Sequence, residues 1–174
     1  DELWRQIERV RELDRRLEGI KVLVGTEANI LTDGSPDYDD DLLAELDWVV
    51  GSVHTAFNMS RADMTKRIVA AIEHPWIDCI GHLTGRKIER RPGYEVDVDE
   101  VLAAAARTGT MLEINSAPDR RDLSEIHARQ AREAGVLIVI NSDAHGVSTQ
   151  GVVRWGVATA RRAGLASADV ANTL

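Results

Sequence analysis

The run Val136 to Ile140 is made entirely of β-branched and leucine residues, and it ends abruptly at Asn141-Ser142-Asp143-Ala144-His145. So short a run without polar alternation reads as a strand buried on both faces. Strands of that kind belong inside a parallel sheet, where each must be joined to the next by a long crossover. Similar runs occur upstream at Ile20 to Val24, Trp48 to Val53, Ile77 to Ile80 and Thr110 to Ile114. Segments of helical spacing separate them, so the pattern repeats roughly every 25 to 30 residues, the size of a βα unit.

The helical segments carry their own boundary signals. Leu3, Ile7, Val10, Leu13 and Leu17 form one apolar stripe, with Gly19 placed to end it. A short helix follows around Leu42 to Leu46. Ser60 and Asp63 make a capping-box-like start for a helix reaching about Glu73, where Pro75 stops it. An alanine-rich helix is expected from Asp99 to Thr108, closed by Gly109. Asp122, with Glu125 three residues on, reads as the N-cap of a helix stopped by Gly135. A last helix is expected from about Thr149 to Arg162, with another starting at Ser167.

A ligand-type side chain stands at the end of every predicted strand: Glu27, His54, His82, Asn115, and the pair Asp143 and His145. An open doubly wound sheet concentrates its site at one switch point, whereas a β/α barrel recruits the ends of many strands. The α/β class with barrel architecture is therefore expected. Five strands do not close a barrel of about eight. The expectation is one domain over 1–174, an N-terminally truncated barrel of about five βα units, or a first strand whose edge a partner covers.

Glu27, His54, His82, Asp143 and His145 all lie at strand ends that face the same way in a parallel sheet, which makes them candidate ligands of one metal site. In Asp143-Ala144-His145 the period-two alternation of extended chain puts both side chains on one face. Histidine with carboxylate suits zinc, manganese or iron, and a carboxylate such as Glu27 can bridge two ions. His74, before Pro75, and His127, within a helix, are assigned to structure. Arg86, Arg120 and Arg121 follow candidate site residues in their loops and are suited to holding phosphate.

Composition sets limits on function. With 44% hydrophobic and 29% charged residues the chain matches a folded domain rather than a disordered one. No apolar run is long enough to span a bilayer, and the chain opens in charged helical sequence, so a cytoplasmic setting is expected. The single cysteine, Cys79, lies in an apolar stretch and reads as a buried hydrophobe. A net charge of -8 argues against a surface that coats polyanions generally. It leaves room for a local basic patch and for an acidic cleft around bound cations.

Gly25-Thr26-Glu27, Gly51-Ser52-Val53-His54, Gly81 to Arg86, Glu113-Ile114-Asn115 and Asn141 to His145 resemble successive motifs of the PHP (polymerase and histidinol phosphatase) domain, in the form carried at the C-terminus of bacterial family-X DNA polymerases. The likeness runs nearly end to end and includes Gly156 to Arg162. It implies a distorted β/α barrel of about seven strands holding up to three Mn or Zn ions. It also implies phosphoester hydrolysis, as 3'-to-5' exonuclease or related DNA end-processing in repair, with DNA reached through an attached polymerase domain. By position, Glu27 becomes the bridging carboxylate, His54 and His82 ligands of one ion, and Asp143 and His145 ligands of the others. Glu27 and Asp143 then serve catalysis, while Arg86, Asn115 and Arg120 contact substrate. The family's H-x-H motif and two further histidines have no counterpart before His54. The alternatives are a small-molecule phosphatase of the histidinol-phosphatase type and a non-catalytic scaffold for the polymerase.

Overall fold

Strands β1 (Gly25–Asn29), β2 (Trp48–Ser52), β3 (Cys79–Ile80), β4 (Met111–Asn115) and β5 (Ile138–Asn141) pair in parallel in their order along the chain. The architecture comes from a computed structural model that describes residues 2–173. Helix α1 is Glu2–Asp14, α2 is Asp40–Leu43, α3 is Arg61–Ile72, α4 is Val98–Thr108 and α5 is Glu125–Glu133; a 3-10 segment, Val147–Val152, runs into α6, Val153–Ala163. Because β-α-β crossovers are right-handed, a sheet whose every step goes to the next strand on the same side carries its helices on one face. That is the wall of a β/α barrel, here over five strands. It is not a doubly wound sheet, whose order would reverse.

The register places Glu27 beside Val50, Val50 beside Cys79, and Asn115 beside Asn141. Along each strand one set of residues joins the core. Ala28, Val49, Ile80, Leu112, Ile114, Ile138 and Ile140 are buried in one cluster with Met64, Ile68 and Ile72 of α3, Val101 and Ala105 of α4, Ala128 of α5 and Ala160 of α6. The alternate residues Gly25, Glu27, Trp48, Val50, Glu113, Asn115 and Asn141 line a concavity of 380 Å³ on the opposite face. The strands are therefore two-sided, apolar toward the helices and largely polar inward. The unbroken apolar runs concealed this, since β4 and β5 are short and Val139 keeps an apolar residue on the inner side.

Most boundaries follow the local signals. Ser60 accepts from the Asp63 backbone N–H at 3.1 Å to start α3, and Gly109 ends α4 in the left-handed conformation at φ 83°. Three expectations are corrected. The stretch Ile20 to Val24 is not a strand: β1 begins at Gly25, Ile20 and Leu23 are exposed, and only Val24 is buried. Glu27 accordingly lies in the middle of β1 rather than after it. The stripe of α1 is mostly open, for Ile7 is buried whereas Leu13 and Leu17 are exposed and the helix stops at Asp14. The N-cap of α5 is Ser124, accepting from the His127 N–H at 3.2 Å, because Asp122 is buried and accepts from Thr84.

A buried arginine, Arg67 on α3, ties the first two strand ends together. It donates to Leu31 O at 2.8 Å, to Thr55 O at 3.0 Å and to Ile30 O. At the other side of the sheet the outer edge of β5 is partly covered: Asn172 exchanges amide bonds with Ile140 N and O, at 2.8 and 3.2 Å, and Val170 bridges Ile138. Among the described residues no helix is long and apolar enough to cross a membrane.

Candidate metal centre

Glu27 projects from β1 into the concavity, and His54 and His82 stand two residues past the ends of β2 and β3. These strands are neighbours in the sheet, so the three side chains converge. Glu27 Oε1 lies 3.2 Å from His54 Nε2 and 3.1 Å from His82 Nε2, and their ligand atoms all fall within 4.8 Å of one another. Gly81 permits this approach, since a Cβ there would meet Ser52 Oγ and come within 2.8 Å of Val50. His82 itself is buried, with a left-handed backbone at φ 29°.

Hydrogen bonding from His54 first, and then from His82, holds the Glu27 carboxyl far below the usual carboxylate range, against the opposing effect of burial. The other nitrogen of His54, Nδ1, is 2.6 Å from Asn29 Oδ1. Asn29 is oriented by Asp37, to which it donates its backbone N–H at 2.7 Å and its amide N–H at 2.5 Å. The amide oxygen is thereby left for His54 and can only accept. Nδ1 then carries a proton, and Nε2, turned to Glu27, donates to that carboxylate when protonated and is a second acceptor facing it when not. Two such acceptors 3.2 Å apart repel unless a proton or a cation lies between them. The donor set, one carboxylate oxygen and two imidazole nitrogens, suits a divalent transition metal.

Glu113, on the inner face of β4, is the buried hub of the site's second half. It accepts from His82 N at 2.7 Å, Asn141 Nδ2 at 2.9 Å and Asn115 Nδ2 at 3.3 Å, and burial pushes its carboxyl up. Asn115 also donates to Asp143 Oδ2 at 3.0 Å and accepts from Ala117 N at 3.0 Å. Its amide is fully engaged within the protein, so it positions Asp143. Asp143 lines the concavity with Glu27, and Arg120 Nε lies 3.6 Å from its Oδ2.

The structure does not bring Asp143 and His145 into the Glu27 cluster. Strand β5 ends at Asn141, and Asp143 turns left-handed at φ 52°, which breaks the alternation invoked for Asp143-Ala144-His145. The His145 side chain is 89% exposed, with Nδ1 on the Asp143 carbonyl at 3.0 Å. Arg86 points its guanidinium at the carbonyls of Arg120, at 3.0 Å, and Arg121, joining two loops. His74 pairs with Asp40 at 3.4 Å, and half-buried His127 has its pKa lowered by burial. Neither joins the cluster. Cys79 is buried, and burial raises its thiol pKa well above the ordinary value, as a non-nucleophilic cysteine requires.

Sequence reading missed Asn29, Asp37, Glu113 and Asn141 as site residues. Asn29 had a signal: it stands two residues after Glu27, on the same side of an extended chain.

A parallel β/α-barrel wall with an inward carboxylate and two imidazoles just past neighbouring strand ends defines a hydrolase-like metal-site class. No family model matches the chain. It is 40% identical to the DNA polymerase/3'-5' exonuclease PolX of Bacillus subtilis over 172 residues, 99% of this chain and 30% of that protein. It is 32% identical to a probable phosphatase of Thermoanaerobacter sp. (strain X514) over 174 aligned residues, 94% of this chain and 69% of that protein. A probable phosphatase of Caldanaerobacter subterraneus is 34% identical over 146 residues, 78% of this chain and 55% of that protein. The chain belongs to the PHP family, in the form carried by family-X DNA polymerases.

Proposed function

We propose that the chain is the metal-dependent phosphoesterase module of a cytoplasmic family-X repair polymerase, hydrolysing DNA phosphodiesters at 3' ends. The observation that carries this reading is the convergence of Glu27, His54 and His82 within 4.8 Å, with His54 oriented by Asn29 to present Nε2. Glu27, His54 and His82 would hold one Mn or Zn ion, with Asp143 and His145 as donors for further ions. Divalent cations bound there supply a water of lowered pKa and neutralise charge on the phosphate. Glu27 stays ionised to hold them. Arg120, 3.6 Å from Asp143 and mostly buried behind it, would favour a phosphate bound beside that aspartate through its charge. Arg86 and Asn115 serve substrate through the loops and the aspartate that they hold. Residues 1–174 are read as one domain, a barrel wall in which β1 pairs only with β2 among the described residues.

The experiment is release of mononucleotides from a 3'-labelled primer by the polymerase that carries this module, with Mn and with EDTA. Metal-dependent release is expected. The similarity to probable phosphatases over most of their length favours, as a second reading, a small-molecule phosphatase. Turnover of histidinol phosphate without nucleotide release would establish that reading instead; metal binding without either activity would leave a scaffold.

A further inference from the structure

The loops following β3 and β4 carry an unusual charge for so acidic a chain. Residues 86–91 and 119–121 include six of the 21 basic side chains and two of the 29 acidic ones. The two segments form one surface. Residues 87–91 make a hairpin, with Lys87 and Arg91 exchanging backbone bonds at 2.8 Å, and Ile88 N donates to Asp119 O at 2.6 Å. Lys87 pairs with Asp119 at 2.9 Å, Arg86 holds the carbonyls of Arg120 and Arg121, and Arg91 donates to Gly85 O while lying 3.9 Å over the Phe57 ring. Three of the six cations are therefore engaged in building the surface.

The other three are not. Arg90, Arg120 and Arg121 make no side-chain hydrogen bond to an acceptor among the described residues, and Arg120 has only Asp143 near it, at 3.6 Å. Arg90 is exposed at the hairpin, Arg121 is half-buried, and Arg120 lies beside Asp143, which lines the concavity. An open hollow of 470 Å³ is lined by residues 86–93. Guanidinium groups carried on loops that backbone bonds pin together, two of them without a carboxylate partner, are preorganised for an anionic ligand. Set out along two loops rather than converging on one point, they match charges repeated along a chain better than a single phosphate. The concavity of 380 Å³ that Asp143 lines is the hollow such a chain would reach.

We propose that the hairpin of residues 87–91, with Arg120 and Arg121, is a track for the phosphodiester backbone of a single nucleic-acid strand leading to the concavity. This deepens the phosphodiesterase reading, on which it rests for the identity of the substrate. It also gives this domain strand affinity of its own, independent of any attached polymerase.

The test is fluorescence anisotropy of a labelled single strand of about 12 nucleotides, a common site size, with the 174-residue chain in EDTA, where hydrolysis does not enter. Arg90→Ala/Arg121→Ala is expected to weaken binding about tenfold and to reduce the slope of log K against log salt by about 1 to 2. Arg5→Ala/Arg9→Ala, which removes the same charge from exposed positions on α1, is expected to leave affinity within about twofold. Arg90→Lys/Arg121→Lys, judged folded by circular dichroism, should retain most binding. Equal losses in the two alanine pairs, or binding of a mononucleotide as tight as that of the strand, would overturn the track. Failure of the phosphodiesterase reading shows separately, as strand binding without metal-dependent nucleotide release.

Discussion

Asn29 Oδ1 accepts from His54 Nδ1 across 2.6 Å, and Asp37 fixes the amide that makes this bond one-directional. Outer partners of this kind set the tautomer of a metal-binding imidazole, and their loss typically costs about 10- to 100-fold in metal affinity. Asn29→Ala is expected to weaken Mn or Zn binding by that factor with little change in fold, because Asn29 is exposed. Calorimetric titration of the metal-free protein measures it. Unchanged affinity would mean that His54 does not rely on Asn29.

Arg67 is 1% exposed and has no carboxylate partner; its guanidinium instead serves the carbonyls of Ile30, Leu31 and Thr55. Arg67→Met keeps the apolar stem and leaves those carbonyls without donors. A loss of about 2 to 4 kcal/mol in urea unfolding is expected. Since Thr55 follows His54 directly, metal affinity should fall as well. A loss below about 0.5 kcal/mol, the range of ordinary surface changes, would show that the carbonyls find other donors.

The alternation of βα units, the helix caps at Ser60 and Gly109, and the convergence of Glu27, His54 and His82 were legible because each follows from local rules. Neighbouring parallel strands point the same way, so His54 and His82, just past β2 and β3, come close to Glu27 on adjacent β1. What was not legible depends on three-dimensional context. Gly25 to Asn29 contains no β-branched apolar residue, so the preceding run Ile20 to Val24 drew the strand assignment instead. The loop after Asn141 contains the left-handed Asp143, which pattern alone does not reveal. Arg86 and Asn115 read as substrate contacts from their positions, yet each is satisfied inside the protein, and such hydrogen-bond completeness cannot be counted in one dimension.

Asp122 supplies a pH-dependent expectation away from the metal cluster. Burial pushes its carboxyl up, against hydrogen bonds from Thr84 that pull it down. The folded state thus binds the proton more tightly than the unfolded chain, and the group's contribution to stability is lost as pH rises from about 4, the unfolded value, through its folded pKa. Asp122→Asn lacks this titration. Its stability relative to the unmodified chain should rise with pH over that window, as read by urea midpoints at several pH values. A constant difference would mean that the folded carboxyl titrates normally.

The proposed division between ligand and structural residues is sharpest between Glu27 and His127. Glu27 places one oxygen within 3.2 Å of both imidazoles, whereas His127 lies on α5 with its Nδ1 buried and unpartnered. Removing the carboxylate leaves two neutral nitrogens to hold a divalent cation, too few donors of the right charge to compete with water. Removing the His127 imidazole takes away packing and a polar atom that has no partner. As Asp143 and His145 stand outside the cluster, the 174-residue chain should retain about one ion per molecule through dialysis. Glu27→Ala should lose it, and His127→Ala should keep it. Atomic-emission metal analysis of the three proteins decides the matter, and equal metal loss in both variants would place the site elsewhere.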